Sequence, residues 1–322
     1  MEISVIIPLF NKENCIQRAL QSVLAQTYPH FEIIVVDDGS TDQSYERAFE
    51  IKDTRIRIIQ QSNQGVSSAR NRGIREARYK WVAFLDADDE WLPNFLENVT
   101  SLINDFPTAR VYATAYLVGT GKVMTMVSTS TQFDMGWTGI LTDFFAASLI
   151  SLPFCASSIA VQRDSLVEVS MFPEGVNLTE DSETWVRLAL RYSIAYKYLP
   201  LVVYHHDAEN RYLKLPSLKE LYVTQRCKKY ILDAPDHFRD SMQDFIARHE
   251  IFRAKQLLLN YDYQSAKEAL YSCKRSSYFH SSYMKLSRLL SYPHFLRVLL
   301  IYGYKKLKYL RAVYEDFLGV SL

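Results

Sequence analysis

The chain has 322 residues, 48% of them hydrophobic and 23% charged, a globular composition that excludes disordered and fibrous classes. Its net charge of +1 conceals an asymmetry: from Asp207 onward there are 20 Lys/Arg against 12 Asp/Glu, a surplus of eight, so residues 1–206 carry −7. An acidic front and a basic back point to two regions with different partners, within a length that suits one large domain or two ordinary ones.

Strands and helices alternate through the first hundred residues. ISVIIPL (3–9) reads as an apolar strand of ordinary length; MEISVIIPLF lacks the basic segment and cleavage site of a signal peptide. Residues 12–27 have helical apolar spacing at Cys15, Ile16, Ala19, Leu20, Val23 and Leu24, with Asn11 as the expected N-cap. EIIVVDD (32–38) is a second strand. STDQSYERAFEI follows as a helix capped by Ser40 or Thr41. RIRIIQQ (55–61), GVSSARNRGIREAR (65–78) and KWVAFLD (80–86) continue as strand, helix and strand. This alternation demands a parallel sheet with helices on its faces, and such sheets gather ligands at the carboxyl ends of their strands.

Farther on, PNFLENVTSLINDF reads as a helix, ARVYATAYLV and KVMTMVS as paired strands, and EDSETWVRLALRYS (180–193) as an amphipathic helix. Residues 144–162 run nineteen long without a charge. Four serines and Pro153 favour buried core beside a site over a membrane span. After His206 the chain reads as helical throughout, with FIARHEIFRAKQLLLN and YQSAKEALYSC as a packed pair. The expected division is therefore 1–206 and 207–322. Cys15, Cys155, Cys227 and Cys273 are far apart and form no C-x-x-C, so neither a zinc site nor a disulfide framework is expected, and a reducing cytosol fits.

Acids mark the strand ends. DDGSTD (37–42) closes a strand and opens a helix; it is neither a P-loop nor a dinucleotide fingerprint, and a simple βα turn accounts for it. DADD (86–89), with Glu90, puts four acids in five residues directly after a buried strand. Like charges so placed resist burial. A hard divalent cation such as Mg²⁺ or Mn²⁺, shared with substrate phosphates, offsets that cost better than a solvated loop does. Glu180 and Asp181 open a helix, where either dipole complementarity or general-base work accounts for them. Arg70, near Asn63, Asn71 and Arg72, has two readings: reaching a phosphate, or lying on an exposed helix face. His205 and His206 follow the probable strand LPLVVY, as structural histidines or metal ligands.

In order and spacing, SVIIPLFNKE, VVDDGSTD, NQGVSSARNRGI, FLDADD and TEDSETWVRL resemble the family 2 glycosyltransferases over residues 1–206. The resemblance implies an α/β GT-A fold, a Rossmann-like, mostly parallel sheet flanked by helices, followed here by a C-terminal α-helical region. It implies a sugar-nucleotide donor, usually a UDP-sugar, and Mn²⁺ or Mg²⁺. By the same resemblance Pro8 and Phe10 match the loop along the nucleoside, Asp38 the acid on the base, and Arg70 the basic position near the nucleotide. Asp86 and Asp88 match the D-x-D pair, Asp88 the more direct metal ligand, and Asp181 the catalytic base. His205 or His206 matches a metal-contacting histidine. No Q-x-x-R-W motif is present, which disfavours a processive synthase and favours inverting addition of a single sugar to a saccharide or lipid-linked acceptor, in surface-polysaccharide assembly by family analogy. A nucleotidyltransferase would need a Gly-rich N-terminal phosphate loop that SVIIPLFNKE lacks. A non-catalytic sugar-nucleotide-binding module would not need every motif acid.

Between Glu268 and Glu315 lie nine basic residues and eight tyrosines but no acid. Residues 274–314 are thus a candidate surface for an anionic cytoplasmic membrane face, for the acceptor or for a second copy of the chain, and a helical cap on the catalytic domain with merely solvated lysines accounts for them equally well. The acidic front region argues against nucleic acid.

Overall fold

A computed structural model describes residues 1–120, 123–176, 178–205, 220–294 and 296–304. In chain order the elements are β1 (Ile3–Leu9), α1 (Ile16–Leu24), β2 (Phe31–Asp37), α2 (Ser44–Phe49), β3 (Ile56–Gln60), α3 (Val66–Glu76), β4 (Trp81–Phe84), β5 (Glu90–Trp91), α4 (Phe95–Asp105), β6 (Val111–Thr120), β7 (Val123–Met126) and β8 (Thr138–Ile140). They continue with α5 (Phe144–Ala147), β9 (Ile159–Gln162), α6 (Arg163–Glu168), α7 (Glu180–Arg191), β10 (Ile194–His205), α8 (Tyr222–Tyr230), α9 (Asp236–Leu259), α10 (Tyr263–Tyr271) and α11 (His280–Ser291). The chain divides into two compact units, Met1–Leu215 and Pro216–Leu322.

The first unit is built on one mixed sheet in the order β3-β2-β1-β4-β9-β6-β10-β5, with β7 on β6 and β8 on β10. β1 pairs in parallel with β2 and β4, and β2 with β3. Every residue of β1, β2 and β4 is buried, as helices on both faces require, so these strands read as continuous apolar runs without alternation. β9 runs antiparallel between β4 and β6, and β10 returns parallel to β6, so β10 ends on the same edge as β1. Phe84, Phe154, Phe172 and Trp185 pack edge-on in the core, with ring centroids 5.3–6.5 Å apart.

The helix starts differ from expectation, for one physical reason. Asn11 does not cap α1. It sits at φ +50°, and its side chain accepts from the Thr41 amide at 2.8 Å. The amides of Asn11, Lys12 and Glu13 donate to Ser40, Ser44 and Asp42 side chains, and Glu13 in turn accepts from the Gln43 amide. These reciprocal bonds use up the groups a cap would serve, so α1 begins at Ile16 and α2 at Ser44, beyond Ser40 and Thr41. The uncharged run 144–162 is not one helix. It folds as α5, a 3₁₀ turn at Ala156–Ser158 and β9, largely buried. No helix among the described residues is long and apolar enough to cross a membrane.

The second unit is helical over its described residues. α9 and α10 bury Ala247, Ile251, Ala254, Leu257, Ala266, Ala269 and Leu270 in one cluster, and Asp262 caps α10 through the Ser265 amide at 3.0 Å. His206 lies outside the described residues, as do Lys305, Lys306, Lys308, Tyr309 and Arg311 of the basic run.

α3 lies so close to β1 that a Cβ on Gly73 would meet Ile6 Cγ2 at 2.4 Å. Overpacking of this kind costs about 1–3 kcal/mol, while Gly→Ala in a helix gains about 1 kcal/mol. Gly73→Ala is therefore expected to lower stability in urea denaturation, and a more stable variant would refute the close packing.

Candidate active site

The carboxyl ends of β1, β2 and β4, the first turns of α3 and α7, and the end of β10 meet at one edge of the sheet. Asp38 is almost fully buried, and both its oxygens are engaged. They accept from Gln61 Nε2 at 2.8 Å, from the Gln64 amide at 3.0 Å and from the Gly65 amide at 2.8 Å. Asp38 thus organises the turn that launches α3. Gly39 makes the approach of that turn possible: it holds φ +73°, and a Cβ there would stand 2.9 Å from the Asn63 amide nitrogen.

Arg70 projects from α3 into the interior, 3% exposed. It does not lie on an exposed helix face. Nη2 donates to Asp86 Oδ1 at 2.8 Å and Nη1 to Glu180 Oε1 at 3.1 Å, with the guanidinium 5.2 Å over the Phe172 ring. One cation thereby ties the strand-end acids to the first turn of α7. Burial opposes its charge, but Asp86, Glu180 and Asp181 together outweigh burial and hold its pKa above the ordinary arginine value. Burial, reinforced by Asp181, in turn pushes Glu180 up to about 7 despite Arg70. Asn71 exchanges hydrogen bonds with the Phe172 backbone, both at 2.9 Å, and so fixes the ring beneath Arg70.

The three aspartates of FLDADD separate by partner. Asp86 Oδ1 is on Arg70, and Asp88 Oδ2 is 2.9 Å from Lys12 Nζ. Each keeps a second oxygen for which no partner is found among the described residues. Asp89 is buried with both oxygens engaged: Oδ2 accepts from the Ser157 hydroxyl and Oδ1 from the His205 amide. Ser157 also accepts from the Asp86 amide at 3.0 Å, and its carbonyl accepts from Trp91 Nε1 at 2.6 Å. Asp89 is therefore a structural acid. The His205 ring lies 3.5 Å from the Glu90 carboxylate, beside the acidic run.

Pro8 is buried within β1, opposite Val36. Phe10, just past the strand, is 43% exposed at the rim. Asp181 is half-buried, and its Oδ1 accepts from the Ser182 amide at 2.6 Å and from the Ser182 hydroxyl at 3.2 Å. The structure brings Asp38, Arg70, Asp86, Asp88 and Asp181 to one edge. Sequence reasoning missed Lys12 and Ser157, whose partners lie 76 and 71 residues away, and named Asn71 without the partner 101 residues on that gives it a role. Lys12 sits inside the NKE stretch, and its nearness to a strand end was the available signal.

Residues 4–169 match the model of the family described as "Glycosyl transferase family 2". The chain belongs to that family. A Rickettsia felis protein described as an uncharacterized glycosyltransferase is 33% identical over 196 residues, 60% of this chain and 31% of that one. The match thus spans about a third of the length of this relative. The Escherichia coli protein WfgD, named as a UDP-Glc:α-D-GlcNAc-diphosphoundecaprenol β-1,3-glucosyltransferase, is 37% identical over 102 residues, 31% of this chain and 40% of that one. Among solved structures, Staphylococcus aureus TarS 1-349 in complex with UDP-GlcNAc superposes with a TM-score of 0.71 at 21% identity, covering 90% of each chain. That likeness is one of fold, and the fold is GT-A.

Glu180 yields a test. Folding raises its pKa from an ordinary 4.5 to about 7, so the unfolded chain gives up this proton first. Its contribution to stability therefore falls as pH rises from 4.5 through 7, and the loss is complete above the folded value. Glu180→Gln is expected to flatten that decline. Urea midpoints that fall equally steeply across this window in both proteins would assign the slope to another group.

Proposed function

We propose that this family 2 chain is an inverting glycosyltransferase that moves one sugar from a UDP-sugar to a hydroxyl of a saccharide or lipid-linked saccharide. The carrying observation is that Arg70 joins Asp86 of the D-x-D pair to Glu180 on the helix bearing Asp181, so donor-binding and proton-accepting groups share one rim. The ligand in the TarS complex and the activity in the WfgD name support the donor and acceptor classes.

In this reading Pro8 and Phe10 lie along the nucleoside, Phe10 offering its exposed ring. Asp38 has three amide or amide-like donors already, so its role at the base combines a remaining acceptor site with the shape of the 61–65 turn. Asp86 and Asp88, each with one oxygen left over, would hold Mg²⁺ or Mn²⁺. Such ions commonly take one or two carboxylates and complete their shell with substrate phosphates. Asp89 is unavailable for that role. His205, beside Glu90, is the described histidine nearest to it. The ion supplies Lewis-acid neutralisation of the leaving diphosphate. Lys12, within reach of Asp88, adds a second positive charge on the same side.

Asp181 accepts the proton of the acceptor hydroxyl as that oxygen bonds to the anomeric carbon and the bond to the diphosphate breaks. Attack opposite the leaving group converts an α-linked donor into a β-linked product. Glu180, buried against Arg70, positions the guanidinium instead of taking this proton. Assembly of a surface polysaccharide at a cytoplasmic membrane face fits an acceptor of this class. The exposed Leu299, Leu300, Tyr302 and Tyr304, together with the bases from Lys274 onward, supply a peripheral contact.

Asp181→Asn is expected to lose about 10²–10⁴-fold in turnover while calorimetric UDP binding survives; strong turnover in that variant would remove Asp181 from the role. Asp88→Ala should abolish the Mn²⁺-dependent part of donor binding in a calorimetric screen of UDP-sugars. Equal binding with and without Mn²⁺ in the parent protein would refute metal-assisted donor binding.

A further inference from the structure

A cavity of about 570 Å³ opens in the first unit, away from the acidic rim, between the segment after β7 and the middle of β10. Its apolar wall is aromatic. Phe133 and Trp137 stand 4.7 Å apart at 39°, and Phe133 lies 5.5 Å from Tyr198. The remaining lining is hydroxyl, amide and carboxylate: Thr129, Thr131, Gln132 and Asp134 among others, with no lysine or arginine among the described residues. Partly exposed rings facing such a polar lining are costly for a merely structural pocket, because a core would enclose the rings and a solvated surface would not gather them.

The wall is built and rigid. The Gly136 amide donates to the Tyr198 carbonyl at 2.9 Å, and the Tyr198 amide donates back to the Trp137 carbonyl at 2.8 Å. The turn carrying Phe133 and Trp137 is thereby locked to β10. Gly136 takes φ +84°, which closes the turn. Gly139 on β8 is the bed of the indole: a Cβ there would meet Trp137 Cζ2 at 2.7 Å and Cη2 at 2.9 Å. Backbone and glycine choice together hold one indole face against the strand.

We propose that this cavity is a saccharide subsite, which binds a neutral sugar of the acceptor chain beyond the residue that receives the transferred sugar. The proposal rests on the glycosyltransferase reading for the identity of the chain, but not for the binding itself. An aromatic ring presents an apolar face to the C–H face of a sugar, while hydroxyls, an amide and one carboxylate satisfy its hydroxyls. A single acid without a base disfavours phosphate-bearing or uronic occupants. The distance sets the role. Tyr198 precedes His205 by seven residues on β10, and His205 reaches Asp89 at the rim. With the register breaks at Pro200, the paired residues on β6 advance only from Thr114 to Gly119, roughly 17 Å of strand, still too far for the reacting sugar and suited to a distal part of a longer acceptor.

Tryptophan fluorescence reads this site directly. Of the four tryptophans, Trp81, Trp91 and Trp185 are 6%, 2% and 1% exposed, so quencher-accessible emission belongs to Trp137. Acrylamide quenching of the full chain is measured with cellotetraose, maltotetraose and chitotetraose in turn. Saturable protection of Trp137 by at least one is expected. Saturation-transfer NMR with the same sugar should show about tenfold weaker binding by Trp137→Ala and near-parent binding by Trp137→Phe, with UDP calorimetry unchanged in both. Unprotected Trp137 with all three sugars overturns the subsite, as does equal binding by Trp137→Ala. If the parent protein binds a tetrasaccharide but no UDP-sugar, the subsite stands and the donor assignment falls.

Discussion

The active edge depends on one buried ion group. Arg70 joins Asp86 at the end of β4 to Glu180 at the start of α7. An isolated guanidinium cannot be buried this deeply, and removing one partner of such a group typically costs 3–5 kcal/mol. Pairing is therefore compulsory, and it fixes the distance between the end of β4 and the first turn of α7. Phe172, held by Asn71, supplies the floor that keeps the guanidinium in plane.

One arginine does not neutralise its surroundings. Asp86, Glu180 and Asp181 all act on it, and burial, reinforced by Asp181, makes Glu180 the group of the three that holds its proton to higher pH. Neighbouring acids on one helix turn thus divide their work by burial. The same division runs through FLDADD, where Asp89 is consumed by Ser157 and the His205 amide while Asp86 and Asp88 each share only one oxygen. The acids do not need a divalent ion to be tolerated in the fold, because Arg70, Lys12, Ser157 and a backbone amide already compensate them. The inference that their burial cost demands a metal is therefore not compulsory. The case for a cation rests instead on the two oxygens left over.

The parallel half of the sheet was legible because its causes are local. β1, β2 and β4 are buried on both faces and read as apolar runs, and β2 and β4 lead directly into the acids of the rim. The helix starts were not legible. Asn11, Ser40, Asp42 and Ser44 bond across two loops to each other's backbones, and local cap rules see each loop alone. Residues 144–162 were legible as buried core beside a site, because α5, the 3₁₀ turn and β9 are largely buried and carry no charge; what composition did not give is the two turns that place Ser157 against the acidic loop. Arg70 was found by position, but its partners, 16 and 110 residues away, came only from the fold.

The two ends of β10 then acquire different meanings. Its carboxyl end delivers the His205 amide to Asp89, completing the electrostatic frame of the rim. Its middle carries Tyr198, whose backbone locks the Trp137 turn through two hydrogen bonds. Between them the register to β6 shifts on either side of Pro200, where the ladder cannot be continuous because proline has no amide to donate. A strand that must serve a charged edge at one end and an aromatic wall farther back needs such a break. Each half can then keep its own pairing, β8 and β6 on one side and β5 with β6 on the other. The break at Pro200 is what lets a single element bear on both places.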